Sequence, residues 1–551
     1  MRQLFFSCIT VSFCLLLSSN SISQNSPRLE KRGNATQLIV DGKPFLVLGG
    51  ELHNSSSSNL DYLTPLWEPI RKMNYNTALV AVSWELIEPQ EGKFDFSLVD
   101  GMLKGAREAK LKLILLWFGS WKNGLSHYTP EWVKKDARRF PRILLKNGKP
   151  TETLSALSTE AMKADAKAFT ALMRHIKSID AKDQTVIMVQ VENEVGVIGS
   201  PRDYSAMANA AFAKPVPDGL LQGLQKNKAE LQPAFKKLWE GNGARTSGNW
   251  QAVFGNTVAA DEAFMALHYA KYVNAVAEAG KAEYNIPMFV NAWIVQPEDK
   301  HPGDYPSGGP QAHVHDIWRI AAPSIDIKSP DIYLPDFKGI TSQYYHSWNP
   351  LFIPESFVGL AGAANAFYAI GKYNGIGYSP FGIDGKTADT TRQQLASAYK
   401  ILAALTPEIT AAQAEGNITA VSLQMPDSVQ TVSLGGYQLI VSLRKNWSGI
   451  TQASKGYGII IYNGGDAFTV AGSNIDVQFV PVSPGPKMAG FSSVREGSYV
   501  NGVWKQGRLL NGDNIMVSYK LADEAMENRT GTGARLLEEP QILKVKLYRF
   551  E

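Results

Sequence analysis

Gln190, Glu192, Asn193 and Glu194 close an apolar run, Val186-Ile187-Met188-Val189. A short β-branched run of this kind reads as a strand covered on both faces. Its polar end then delivers two carboxyl groups and an amide to one edge of a sheet. The plainer alternative is a strand end whose acids face water or cap the next helix; two acids flanking an amide, closed by Gly196, favour chemistry. A second such ending is Leu351-Phe352-Ile353-Pro354-Glu355. Two carboxyl groups at one mouth can divide labour, one holding a proton for a leaving oxygen and the other staying ionised to attack or to stabilise positive charge. That is the requirement for cleaving a glycosidic bond.

Positioning both acids takes a particular scaffold. Strands are predicted at Phe45–Leu48, Thr77–Val82, Leu113–Trp117, Val186–Val189, Pro287–Val290, Ile325–Tyr333, Leu351–Glu355 and Ile376–Ser379, after a hairpin that begins at Gln37–Val40. Helical patterns lie between them, near 60–73, from 97, at 155–178 and at 261–281, and a helix at 389–405 follows the eighth strand. Strand, polar loop and helix in alternation imply a parallel sheet with crossover helices, and eight repeats imply a (β/α)8 TIM barrel, whose chemistry sits at the C-terminal ends of the strands. Residues 197–260 read as a long insertion with a helix near 219–240, placed as a rim or a lid. After residue 415 the pattern changes to short alternating strands with Gly-rich turns, including Tyr437–Leu443, Gly458–Tyr462, Asp476–Phe479 and Ile542–Leu547. The expected organisation is therefore a leader at 1–23, a barrel domain at 24–415 and an all-β, sandwich-like domain at 416–551.

The leader carries an early Arg2, an apolar run through Leu17 and the small-residue pattern Ser21-Ile22-Ser23, the marks of a cleaved secretory signal. It holds both cysteines, Cys8 and Cys14, so the mature chain is expected to have no disulfide. Export to the periplasm or the outside is the resulting expectation, with no membrane span in the mature form. With 55 Lys and Arg against 51 Asp and Glu, and 19% charged residues, nothing points to nucleic acid or an anionic membrane. The 12 Trp, 21 Tyr and 23 Phe leave ample aromatic surface for stacking on sugar rings. Oligomeric state is not fixed by any segment; a homo-oligomer is compatible with all of them.

The motifs QVENEVG, GGELHNSS, SWELIEPQEGKFDFS and FIPES, in their order and spacing over about residues 36–400, resemble glycoside hydrolase family 35. The resemblance implies a retaining exo-β-galactosidase that needs no cofactor, in a bacterial subgroup whose C-terminal β domain has no assigned role and some of whose members act on xyloglucan side chains. It implies Glu194 as acid/base, Asn193 as partner of the sugar 2-hydroxyl, Glu355 as nucleophile and Tyr333 as hydrogen-bond donor to it. Strand alternation alone would put Glu192 and Glu194 on one face and Asn193 on the other, so choosing Glu194 over Glu192 rests on the resemblance and requires a bend. Around the pair, the predicted substrate-binding residues are Glu51 and His53 from the first strand, Trp84 from the second, Trp117 and Trp121 from the third, Trp293 from the fifth and Tyr378 from the eighth. His53 has an alternative role as a brace for Glu51. The segment WFGSWKNGLSHYTPEWVK departs from the family's usual loop.

Three rival readings accompany this one. A metal hydrolase would use His313-Val314-His315, but the pair runs into a helical pattern instead of ending a strand, so no metal is expected. A retaining enzyme for another β-linked sugar would keep the same machinery. A silent glycan-binding protein would have no use for two opposed acids.

Overall fold

The computed structural model describes residues 26–385, 389–446, 449–518 and 530–551. The predicted leader at 1–23 lies outside the described residues. Eight parallel strands form the barrel: β1 (Val47–Glu51), β2 (Thr77–Ser83), β3 (Lys112–Phe118), β4 (Val186–Val191), β5 (Met288–Trp293), β6 (Ile327–Asp331), β7 (Phe352–Ile353) and β8 (Gly377–Tyr378). Their spatial order is β6-β5-β4-β3-β2-β1-β8-β7. Between β6 and β7 the ring closes through a parallel bridge, Ile332 to Ser356, with the Ile332 N–H donating to the Glu355 carbonyl at 3.0 Å. Because each strand is covered on both faces, its residues are apolar almost without alternation.

Leu79, Ile114, Leu116, Met188, Phe289 and Phe352 fill the barrel interior. A hairpin of Ala35–Val40 and Lys43–Phe45 adds Leu38 and Val40 to this cluster. Its turn, Asp41-Gly42, has both residues left-handed, as a two-residue hairpin requires. The hairpin expected to run into β1 thus breaks at Leu46, and β1 leaves the hairpin to join the barrel.

Helices α1 (Trp67–Lys72), α2 (Ser97–Glu108), α3 (Thr159–Asp180), α4 (Val258–Glu283), α5 (His315–Ala321), α6 (Phe337–Tyr344), α7 (Gly359–Lys372) and α8 (Asp389–Glu415) surround it. The insertion differs from its expected single helix at 219–240. Helices occupy Asp218–Lys226 and Pro233–Gly241, separated by a short turn, because Pro233 suits a first helical turn but cannot continue one. Leu220, Leu224, Phe235 and Trp239 are buried in the same core as the barrel helices. The insertion is therefore packed wall.

Helix α8 runs ten residues beyond its predicted end at 405, to Glu415, and the first strand of the β region opens at Ile418. Six antiparallel strands form one sheet and four the other, enclosing Val421, Leu439, Val441, Ile460, Phe468 and Leu543. The six-stranded sheet packs on α7: a Cβ on Gly371 would lie 2.7 Å from Cβ of Ala420, and the rings of Phe367 and Tyr457 stand 4.8 Å apart.

Candidate active site

Regular pairing in β4 ends at Val191, and the next residues do not alternate as a strand would. Glu192 and Glu194 take left-handed φ values of 63° and 43°, a conformation that costs a residue with a Cβ about 1–2 kcal/mol. Hydrogen bonds hold it: the Trp121 N–H donates to Glu192 Oε2 at 2.8 Å, the Asn193 N–H donates to the Trp121 carbonyl at 3.2 Å, and the Glu194 N–H donates to Asn291 Oδ1 at 3.0 Å. This is the bend that strand periodicity could not supply. Glu192 turns toward Asp165 of α3, while Glu194 faces the mouth. Room for Glu192 comes from Gly119, where a Cβ would sit 2.6 Å from Glu192 Oε1 and 2.7 Å from Asp165 Oδ1.

Glu355, two residues beyond β7, lies opposite. Oxygens of Glu194, Asp331 and Glu355 lie within 4.8 Å of one another. The Tyr333 hydroxyl donates to Glu355 Oε2 at 3.1 Å, and the amide nitrogens of Asn193 and Asn291 reach Glu355 Oε1 at 3.5 and 3.4 Å. Glu194 Oε2 accepts from the Asn123 amide at 2.6 Å. Asn123 and Gly124, both left-handed, form a two-residue turn closed by paired Lys122 and Leu125 backbone bonds. Asn193 Oδ1 is buried and has no protein partner among the described residues.

Burial first, and then the Glu355 charge, push Glu194 from the usual carboxyl range up to about 7, against the opposing pull of Lys122. Asp331 rises well above its ordinary value through burial and through Glu355, Glu194 and Glu51. Glu51 does the same through burial and Glu355, and neither of its oxygens has a protein partner among the described residues. Burial works against the Lys122 ammonium, but these four carboxyl groups outweigh it and raise its pKa. The site is thus a buried cluster of acids beside the Lys122 ammonium, with the Glu194 carboxyl raised toward neutrality next to a second carboxyl. A metal ion on Glu194, Asp331 and Glu355 would face that ammonium and would occupy both members of the pair.

Comparison with known proteins gives matches to parts of the chain. A family profile described as "Beta-galactosidase", that of glycoside hydrolase 42, matches residues 67–239, which run from α1 past the β4 tip. A second profile, a domain of unknown function, matches residues 395–520. A beta-galactosidase of Xanthomonas manihotis is 31% identical over 191 residues, 32% of this chain and 28% of that protein. The human beta-galactosidase-1-like protein 3 is 28% identical over 184 residues, 32% of this chain and 25% of that protein. The chain thus spans about a quarter of the length of the curated relatives it matches. Among solved structures, a beta-galactosidase from the psychrophilic Marinomonas ef1 aligns with a TM-score of 0.41 and 14% identity, over 66% of this chain and 60% of that one. The likeness in sequence is to β-galactosidases as a group.

Several residues expected at the sugar are elsewhere. Trp84, Trp117, Trp121 and Tyr378 are buried, so none offers a platform to a ligand. Their polar atoms are spent inside: Trp84 donates to Glu88, Trp117 to Asp165, Trp121 to the Leu154 carbonyl and Tyr378 to the Phe357 carbonyl. The expectation that they bind substrate is corrected to packing, since a large ring at a strand end fills the gap between strand and helix as readily as it lines a mouth. His53 pairs with Asp384 through Nδ1 at 2.8 Å and packs on Phe381, which replaces its alternative role as a brace for Glu51. Trp293 is half-buried and Tyr333 is 38% exposed, so both keep ring surface open. His313 contacts Glu262, whereas His315 is buried against Tyr344 and Trp348, so the two rings do not converge on one ion.

Asn291, Asp331, Lys122 and Asn123 were not singled out from sequence. Asn291, two residues before the end of β5, and Asp331, the last residue of β6, carry the same strand-end polarity that marks Glu194, and their side chains join at 2.7 Å. The Asn123-Gly124 pair carries a tight-turn signature.

Proposed function

We propose that this chain is a retaining exo-β-galactosidase of the family 35 type, exported by its leader, with a β-galactoside of plant-type glycan among its substrates. Glu355 attacks the anomeric carbon while Glu194 protonates the departing oxygen; Glu194 then takes a proton from the water that releases galactose. The observation that carries this reading is the pair itself. Carboxyl oxygens within 4.8 Å of one another are closer than the roughly 6.5–9.5 Å of an inverting pair and fit the spacing of a double displacement. A Glu194 pKa raised to about 7 suits a group that must give and then retake a proton near neutrality. The unpartnered Asn193 Oδ1 is a ready acceptor for a 2-hydroxyl.

The test is release of nitrophenol from α- and β-nitrophenyl glycosides by the mature protein and its Glu355→Ala variant, with proton NMR of the first sugar released. Turnover on the β-galactoside, β-galactose as the first anomer, and loss of at least about 10⁴-fold in the variant are expected. Near-native turnover by Glu355→Ala, or α-galactose appearing first, would reject the mechanism. Silence on every glycoside, with galactoside binding retained, would promote a glycan-binding role.

A further inference from the structure

Beyond β3 the chain runs beside the segment that leaves β4, and the two stay in step. Trp121 bonds Glu192 and Asn193, and Asn123 bonds Glu194. Gly124 then packs on Gly196 and Ile198: a Cβ there would lie 2.8 Å from Ile198 Cγ1 and 3.1 Å from the Gly196 carbonyl. From another side, the buried Thr153 hydroxyl donates to the Gly124 carbonyl at 3.1 Å. The tight turn at Asn123-Gly124 is therefore fixed to the same body as Glu194.

At 2.6 Å, the Asn123 amide bond to Glu194 Oε2 is shorter than the roughly 2.7–3.2 Å usual for N–H···O contacts. An amide N–H can only donate, so Oε2 is held as an acceptor. With that donor in place Oε2 is the poorer seat for a proton, which leaves Oε1. Four ionisable groups face this carboxyl: Glu355 beyond β7, Asp331 at the end of β6, Glu51 at the end of β1 and Lys122 beside the turn. Glu355 and Glu51 oppose its charge, Lys122 and a hydrogen bond shared with Asp331 support it, and the Asn123 amide adds to the support.

Resting on the hydrolase reading above, we propose that Asn123 is a positioning residue for the proton transfer: its amide holds Glu194 Oε2 as the fixed acceptor, Oε1 gives and retakes the proton, and the bond stabilises the Glu194 anion between the two steps. In the first step the Oε1–H bond breaks as the proton passes to the departing oxygen, the anomeric C–O bond breaks, and a Glu355 oxygen bonds the anomeric carbon. The charge left on Glu194 is met at Oε2 by the amide. In the second step water attacks that carbon, Glu355 leaves as the carboxylate, and a proton of the water returns to Oε1.

Asn123→Gly, in the full chain, removes the amide and keeps the turn, because Gly adopts the left-handed conformation of Asn123 without strain. A dinitrophenyl β-galactoside has a leaving group that needs no proton, whereas the sugar leaving from lactose needs one. Asn123→Gly should therefore lose about tenfold or more in kcat/KM on lactose beyond its loss on the dinitrophenyl substrate, the scale of one charge-assisted hydrogen bond. Its kcat on the dinitrophenyl substrate should fall and be restored by azide, which attacks the anomeric carbon without giving up a proton and yields β-galactosyl azide. The limb of kcat/KM that falls with rising pH should move up by about half a unit or more, as the anion loses support. Equal loss on both substrates, no loss on either, no response to azide, or an unmoved limb overturns the proposal. Should Asn123→Gly not fold, Asn123→Asp keeps the shape of the side chain and replaces the donor by an acceptor; it should lose at least as much on lactose, and parent activity in it overturns the proposal. A parent that hydrolyses neither substrate sinks the hydrolase reading and this role with it, whereas an active parent with an indifferent Asn123→Gly sinks this role alone.

Discussion

Replacing Glu355 by Gln should lower the pKa of Glu194 while leaving the fold in place. Two unit charges within 4.8 Å interact by about 3.5 kcal/mol at an effective dielectric of about 20, equivalent to about two and a half pH units. The rise of Glu194, from 4.5 to about 7, is of the same size, yet burial is its larger cause and Lys122 opposes it. Removing the Glu355 charge should therefore bring the titration of Glu194 down by about one to two pH units, with burial holding it above the ordinary value. Carbon-13 NMR of side-chain-labelled glutamate reads this directly, with the Glu194→Gln/Glu355→Gln double variant assigning the resonance. A Glu194 that still titrates near 7 in Glu355→Gln would refute the argument that its partner's charge primes it. A Glu194 that titrates at an ordinary carboxyl value in the parent would refute the assignment of a proton donor at neutrality.

In the proposed mechanism Glu194 enters the reaction protonated, so kcat/KM should fall as pH rises through about 7, and Lys122→Met, which removes the cation that lowers that pKa, should move this limb to higher pH. Burial first, and then Asp165, hold Glu192 well above the carboxyl range. The unfolded chain releases that proton more readily, so this group's contribution to stability is whole below the ordinary pKa and declines as pH rises above it. Glu192→Gln should accordingly melt higher than the parent at pH 8, with the gap closing at pH 4 in thermal unfolding; a gap independent of pH would contradict the buried acid. Gly119→Ala would drive a methyl to within 2.4 Å of Trp117 Nε1 and should cost about 1–3 kcal/mol in urea unfolding.

The scaffold was legible in the chain because a parallel barrel hides its strands on both faces, and strings such as Thr77–Val82 or Val186–Val189 can be little else. Chemistry at strand ends was legible for the same reason, since polarity begins where the covering stops. What sequence could not resolve was direction. Glu192 and Glu194 are the same residue type two positions apart, and only the backbone turns after Val191 send one inward to Asp165 and the other to the mouth. Aromatic residues misled in the complementary way: Trp117 and Trp293 both end strands, yet the first is buried on α3 and the second is half-open. Asp331 was passed over because the predicted strand ran on to Tyr333, which placed the aspartate inside the strand instead of at its tip.

Helix α7 begins four residues after Glu355, and eleven of its fourteen residues are buried. A helix that is apolar on every side needs cover on every side, and here one flank is covered by the barrel and the other by the six-stranded sheet, through Ala420, Tyr457 and Ile459. Autonomy is therefore denied to the barrel: a chain cut after Glu415 would open the back of that helix to water, and the segment presenting Glu355 would lose its support. The C-terminal region and the barrel thus share α7 as a common wall, and either part exchanged between proteins would have to bring a matching cover for that helix.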